Sequence, residues 1–222
     1  MAKVLLGITG SVAAVKTLEI AELLLKTGHD VRVCCTASSL YFFPLQKLRE
    51  VIGPKDESDL PPVFLDADEW SWGGGGSHYK TEQKILHIEA RRWADLFLLA
   101  PLDANTLAKM ADGIADNTLT CIWRAWDLAK PVILAPAMNT LMWKKRATLR
   151  NLQWIAEEFG LADSQSIHPS SFCEAINKQR GKLALLAPAE KQLACGDLGL
   201  GAMAPIQEII REVNRLILTV PH

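Results

Sequence analysis

The sequence predicts an α/β fold: a doubly wound parallel sheet of flavodoxin-like or Rossmann-like type, in a single domain over 1–222. Three observations predict it. Short runs apolar at nearly every position, "KVLLGI", "DVRVCC", "DLFLLAP" and "PVILAPA", suit strands covered on both faces rather than one. Segments with helical period separate them. The runs "KVLLGI", "DLFLLAP" (95–101) and "PVILAPA" (131–137) end at or just before Gly, Pro, Ser, Thr or Asn, where a helix would begin.

In chain order, "KVLLGITG" leads into the helical pattern "SVAAVKTLEIAELLLKTGH", and "DVRVCCTA" into a second helix starting at Ser38–Ser39. "DLFLLAP" (95–101) and "PVILAPA" (131–137) are followed by helical periods over 103–126 and 140–159, and "LALLAP" (183–188) is a weaker strand. "IQEIIREVNRLILTV" is amphipathic and expected to pack on the sheet. Residues 53–62, with three prolines, read as a flexible loop, and so do 71–84, which contain Gly-Gly-Gly-Gly-Ser. The polar stretch 162–182 reads as a surface insertion.

A formal net charge of −1 offers no general attraction to nucleic acid or to an anionic membrane. No apolar stretch approaches the ~18–20 residues of a membrane span. The opening run breaks at Gly7 and Gly10 and is too short for a signal peptide. Five cysteines, an odd number with no C-x-x-C, argue against a disulfide framework and a zinc site. The expectation is a cytoplasmic protein without a metal.

Chemistry concentrates at the strand ends. In "GITGSVAAVK", Gly10, Ser11, Val12 and Ala13 set backbone N–H groups and a hydroxyl at a helix start, which suits a phosphate. Ser11 as a plain N-cap is the competing reading. "TASS" brings Thr36, Ala37 and Ser38 to the end of the second strand, where their hydroxyls would serve the same phosphate. The dinucleotide pattern G-x-G-x-x-G is missing, so the pair favours a mononucleotide such as FMN over NAD. Asp103, Ala104, Asn105 and Thr106 follow another strand, as do Ala137 and Asn139. Helix capping and ligand binding both account for them. His87, in "ILHIEARRWAD", reads as structural or catalytic. Cys195, in "LACGDLGLGAMAP", sits among glycines at 196, 199 and 201 and reads as part of a flap.

These residues also carry a family likeness. "GSVAA", "LHIEARRWAD", "APLDANTLAKMADGIADNTLT", "APAMNTLMW" and "LACGDLGLGAMA" closely resemble the eukaryotic phosphopantothenoylcysteine decarboxylases, members of the homo-oligomeric flavin-containing cysteine decarboxylases. The resemblance implies FMN as cofactor and a lyase of coenzyme A biosynthesis. It converts 4′-phosphopantothenoyl-L-cysteine to 4′-phosphopantetheine and CO₂. In that chemistry the cysteinyl thiol is oxidised to a thioaldehyde, which accepts the electrons left by CO₂, and the resulting enethiol is then reduced. By position His87 matches the histidine of the oxidative step. Asn139 matches the asparagine that holds the substrate carboxylate, with Met142 beside it. Cys195 matches the thiol that supplies a proton in the reductive step, on a flap that closes over the substrate. The family implies a homotrimer with active sites between subunits, His87 from one chain and Asn139 and Cys195 from the next. Gln192 and Pro205 depart from the family's usual basic residue and glutamate.

Two other readings share the fold. Fungal relatives act as inhibitory subunits of protein phosphatases, which makes a phosphatase a candidate partner. Those proteins tend to carry acidic tails or lack part of the catalytic set. A flavin prenyltransferase would not need the His87 and Cys195 motifs.

Overall fold

In a computed structural model, residues 1–54, 60–72, 78, 81, 83–192 and 198–218 are described. The expected Gly-Gly-Gly-Gly-Ser loop at 73–77 and Cys195 lie outside them, as does much of the loop 53–62.

Six strands, β1 (Lys3–Ile8), β2 (Asp30–Cys35), β3 (Val63–Leu65), β4 (Leu96–Leu102), β5 (Val132–Pro136) and β6 (Leu183–Leu185), form one parallel sheet in the order β3-β2-β1-β4-β5-β6. This is the Rossmann order. The helices among the described residues are α1 (Thr17–Lys26), α2 (Leu45–Ile52), α3 (Leu86–Trp93), α4 (Ala104–Asp112), α5 (Thr118–Arg124), α6 (Thr140–Trp143), α7 (Arg146–Glu158), α8 (Pro169–Lys178) and α9 (Ile206–Ile217). A separate antiparallel hairpin joins β7 (Ala189–Gln192) to β8 (Leu198–Ala202).

The continuous apolar strands are explained by burial on both faces. Val4, Leu6 and Ile8 of β1 point into one core, with Ile20 and Leu24 of α1, Leu48 of α2 and the apolar side of α9. Leu5 points into the other, with Phe97 and Leu99 of β4, Leu107 of α4, Ile122 of α5 and Leu152 of α7. The expected packing of the last helix holds. Ile206, Ile209, Ile210, Val213 and Leu216 of α9 are buried, each side chain contributing about 1.5–3 kcal/mol of transfer free energy.

Two sequence expectations need correction. Residues 162–182 are not a surface insertion. They contain α8, whose Phe172, Cys173 and Ile176 are buried in the second core, because these positions share one helical face. The segment is the last part of the crossover from β5 to β6. The second helix does not start at Ser38–Ser39: residues Ala37–Tyr41 make a single 3-10 turn, and α2 begins at Leu45, directly after Pro44. Proline disfavours helical backbone in the residue before it, which delays the start.

The sheet order places the site. The chain leaves β1 toward β2 and β3 on one side, then returns to β4, β5 and β6 on the other. The reversal falls between β1 and β4, and a crevice opens at the carboxyl ends of those two strands. Among the described residues, no helix is long and apolar enough to cross a membrane.

Candidate functional site

Three of the predicted segments converge in that crevice. Gly10 follows β1, Ser38 follows β2 and Asp103 follows β4. A β-carbon on Gly10 would stand 2.5 Å from Ser38 Oγ, 2.7 Å from Ser38 Cβ and 3.4 Å from Asp103 Oδ2. Only glycine fits there, and its missing side chain leaves a polar-walled cradle. Thr36 and Ser38 set their hydroxyl oxygens 3.2 Å apart on one side of it.

On the other side Ser11 opens the 3-10 turn Val12–Lys16, its Oγ accepting from Ala13 N at 3.3 Å. Both readings of Ser11 therefore describe one position: the hydroxyl caps the turn and stands at its N-terminal, electropositive end. Asp103 divides its carboxylate similarly. Oδ1 accepts from Thr106 N at 2.6 Å and caps α4, while Oδ2 is the oxygen that faces Gly10. Ala104 is half-buried, Asn105 exposed and Thr106 buried.

Thr9, which sequence reasoning did not single out, ties the β1 and β4 loops together. Fully buried, its Oγ1 donates to the Pro101 carbonyl at 2.9 Å and accepts from Asp103 N at 2.7 Å. The β5 loop joins the same edge, since Ala137 N donates to the Leu102 carbonyl at 2.9 Å. Val12 is 52% exposed and Ala13 half-buried, so this turn offers apolar surface beside the cradle.

Asn139 comes next along the edge. Its Oδ1 caps α6 by accepting from Leu141 N at 2.8 Å, so the amide's other half, Nδ2, is a donor. Leu141 and Met142 beside it are 72% and 47% exposed. Strand β8 lies directly on this turn, with Met138 N donating to the Gly201 carbonyl at 3.1 Å. The hairpin that joins β7 to β8 through residues 193–197 is thus rooted on the segment that carries Asn139.

His87 stands in the first turn of α3. The far end of α3 lies at the amino edge of the sheet, where Asp95 N donates to the Lys3 carbonyl at 2.8 Å, so the first turn points to the carboxyl edge. His87 Nδ1 is 2.6 Å from Glu69 Oε1. Glu69 is buried and ends the 3-10 turn Asp66–Glu69 that follows β3. Sequence reasoning missed it because nothing in "DADEW" distinguishes a buried acid from an exposed one. Within one chain, the structure brings Gly10, Ser38 and Asp103 together, with Ser11 next to Gly10 in the chain and the β5 loop that carries Asn139 on the same sheet edge. It gives His87 a different partner.

The flavoprotein family model matches residues 1–218. A phosphopantothenoylcysteine decarboxylase of Mus musculus is 38% identical over 218 residues, covering 97% of this chain and 87% of that protein. One of Arabidopsis thaliana is 41% identical over 205 residues, covering 91% of this chain and 78% of its own length. Among solved structures, a cysteine-to-serine variant of phosphopantothenoylcysteine decarboxylase complexed with pantothenoylaminoethenethiol matches with a TM-score of 0.75 at 39% identity, over 98% of this chain and 99% of that one. The FMN binding protein AtHal3 matches with a TM-score of 0.71 at 39% identity, over 100% and 99%. Identity at this level along nearly the whole length, on the same fold, leaves one assignment: the chain belongs to the flavoprotein family and, within it, to the phosphopantothenoylcysteine decarboxylases.

Proposed function

We propose that this chain is an FMN-dependent carboxy-lyase that converts 4′-phosphopantothenoyl-L-cysteine to 4′-phosphopantetheine and CO₂, a step of coenzyme A biosynthesis. The observation that carries the reading is the polar cradle around Gly10 at the reversal of the sheet, in a chain related over its length to decarboxylases of that substrate.

The residues present fit FMN. Ser11, Ser38 and Thr36, with the N-terminal end of the Val12–Lys16 turn, supply donors for its phosphate. Asp103 Oδ2 is an acceptor and suits a hydroxyl of the ribityl chain rather than the phosphate. Ala104, Asn105, Thr106 and Ala137 border the remainder, and Val12 and Ala13 offer apolar contact. Bound there, FMN supplies the oxidation of the substrate thiol and the return of the hydride.

The chain's own groups do the rest. Asn139 holds the substrate carboxylate through Nδ2, with Met142 packed beside it. His87 takes a proton during the oxidative half. Cys195 returns one during the reductive half, and the hairpin that carries it excludes water. The relative complexed with pantothenoylaminoethenethiol, a decarboxylated enethiol, carries a cysteine-to-serine change, which supports assigning a late proton to a cysteine. His87 and Asn139 have separate partners within one chain, Glu69 and Leu141, and Leu141 and Met142 are exposed. The exposed apolar pair Leu141 and Met142 beside Asn139 offers surface for a neighbouring subunit, which supports a homotrimer whose sites combine His87 of one subunit with Asn139 and Cys195 of the next. The odd cysteine count supports a reducing, cytoplasmic setting.

The test is direct. Purified protein should be yellow, release FMN on denaturation and liberate CO₂ from 4′-phosphopantothenoyl-L-cysteine. Flavin-free protein, or bound FMN without CO₂ release, would overturn the assignment.

A further inference from the structure

We infer that Glu69 is a positioning residue for His87: it holds the imidazole with its proton on Nδ1 and so presents Nε2 as the basic atom. The inference deepens the role given to His87 above and rests on it.

The pair is built rather than incidental. The two residues are 18 positions apart on different elements, yet Nδ1 and Oε1 meet at 2.6 Å. The Glu69 side chain is 4% exposed and that of His87 21%, so the carboxylate is sealed and the ring reaches solvent. The second oxygen, Oε2, is buried without a hydrogen-bond partner among the described residues, which leaves His87 as the group that satisfies this acid. A buried carboxylate left without a partner is costly, and one that keeps a single strong partner fixes that partner's geometry.

Both sides are held before any substrate arrives. The turn carrying Glu69 is anchored by Asp68 Oδ2, which accepts from Leu65 N at 2.8 Å, and by Asp66 Oδ1, which accepts from Thr118 N at 3.1 Å. Helix α3 is anchored at its other end by Lys130, whose Nζ donates to the Arg91 carbonyl at 2.9 Å and the Ala94 carbonyl at 2.7 Å. An ionised carboxylate only accepts hydrogen bonds, so Nδ1 must donate, and the lone pair of a neutral imidazole then resides on Nε2. A base oriented by a third group is the general arrangement for proton transfer at a defined atom.

The experiment uses FMN-loaded enzyme labelled with ¹⁵N-histidine at pH 8, where two-bond ¹H–¹⁵N correlations report the tautomer of each imidazole. His87, assigned by its loss in H87N, should carry its proton on Nδ1. In E69A the proton should move to Nε2. Both E69A and E69Q should lose kcat on the order of 10- to 100-fold, the size of effect seen when the partner that orients a metal-bound imidazole is removed. KM and FMN content should stay as in the wild type. E69Q keeps the size of the side chain and controls for a folding defect in E69A. A wild-type His87 protonated on Nε2, or E69Q and E69A turning over at the wild-type kcat, would overturn the proposal. Wild-type enzyme that shows the Nδ1–H tautomer yet releases no CO₂ would overturn the assigned reaction instead.

Discussion

Met138 and Gly201 lie backbone against backbone. The Met138 N–H donates to the Gly201 carbonyl at 3.1 Å, and a β-carbon on Gly201 would run into the Met138 carbonyl oxygen, with Thr140 N 3.3 Å away. Glycine is needed here for closeness of approach. Since the clashing atom is backbone, Gly201→Ala has to move either β8 or the turn bearing Asn139. We expect a destabilisation of about 1–3 kcal/mol, visible as a lower Tm. Displacement of Asn139 should also lower kcat/KM on the order of 10- to 100-fold. FMN content should not change, because the cradle at Gly10 is a separate contact. Wild-type turnover by this variant would show that the hairpin stem does not set the position of Asn139.

The cradle can be tested by filling it. Gly10→Ala would put a carbon 2.5 Å from Ser38 Oγ, forcing the Ala37–Tyr41 turn outward. Ser11→Asp would bring a negative charge to the end of the turn assigned to the phosphate. Ser11→Asp should yield a colourless protein and Gly10→Ala one with FMN affinity reduced at least about tenfold, a change of roughly 1.4 kcal/mol. Absorbance of the flavin released on denaturation measures both. Stoichiometric FMN retained by Ser11→Asp would remove the phosphate from this end of the sheet.

What was legible in the sequence follows a physical rule. β1, β2, β4 and β5 were readable because burial on both faces makes a strand apolar at nearly every position, and the loops after them because caps and glycines are local signals. β3, only Val63–Leu65, sits at the edge next to two prolines and shows no pattern of its own. The α8 segment was misread because its buried face, Phe172, Cys173 and Ile176, is narrow and its flanks are polar. The Gly10 turn and Ser38 were read as serving one phosphate and Asp103 as a helix cap or a further ligand contact, but the close approach of all three needs the strand order. The partnership of Glu69 with His87 was invisible for the same reason, since nothing local to either residue specifies a contact between β3's turn and α3.

Three buried thiols give the protein an alkaline weakness. Burial pushes Cys35 and Cys173 up to about 12 and raises Cys34 well above its ordinary 9.0, with Cys35 and Asp66 adding to the effect at Cys34. In the unfolded chain these thiols ionise near 9, while the folded protein keeps their protons. The folded state thus binds more protons in that window, and its stability is full below pH 9 and falls as pH rises toward 12. Each thiol contributes a slope of about 1.4 kcal/mol per pH unit. Cys173→Ala should flatten the slope of stability against pH between 9 and 11 by about that amount. Urea unfolding with a reductant present would measure it, and an unchanged slope would refute the contribution of Cys173.

Cys195→Ser tests the order of events. Serine keeps the size of the group but is a far weaker acid, so a proton required late should arrive very slowly. The variant should release one equivalent of CO₂ per site and then stop without forming 4′-phosphopantetheine. His87→Asn should release none, with FMN still bound. Rapid quench of CO₂ separates the two, and steady turnover by Cys195→Ser would remove the proton-donor role.

Subunit sharing gives the final prediction. In the proposed cyclic trimer each site would take His87 from one chain and Asn139 and Cys195 from its neighbour in a fixed direction around the ring. Consider trimers assembled from His87→Asn and Cys195→Ser chains. Any ring holding both kinds has one boundary at which an intact His87 faces an intact Cys195, whichever kind is in the majority. Random assembly of equal amounts makes about three quarters of the rings mixed, each with one working site of three, so about a quarter of wild-type activity should return. Each variant alone should be inactive, and the mixture should recover only after subunits exchange. If the site lay within one chain, every chain in the mixture would lack one group and no activity would appear. Mixed trimers verified by mass spectrometry and still inactive would place His87 and Cys195 in the same subunit's site.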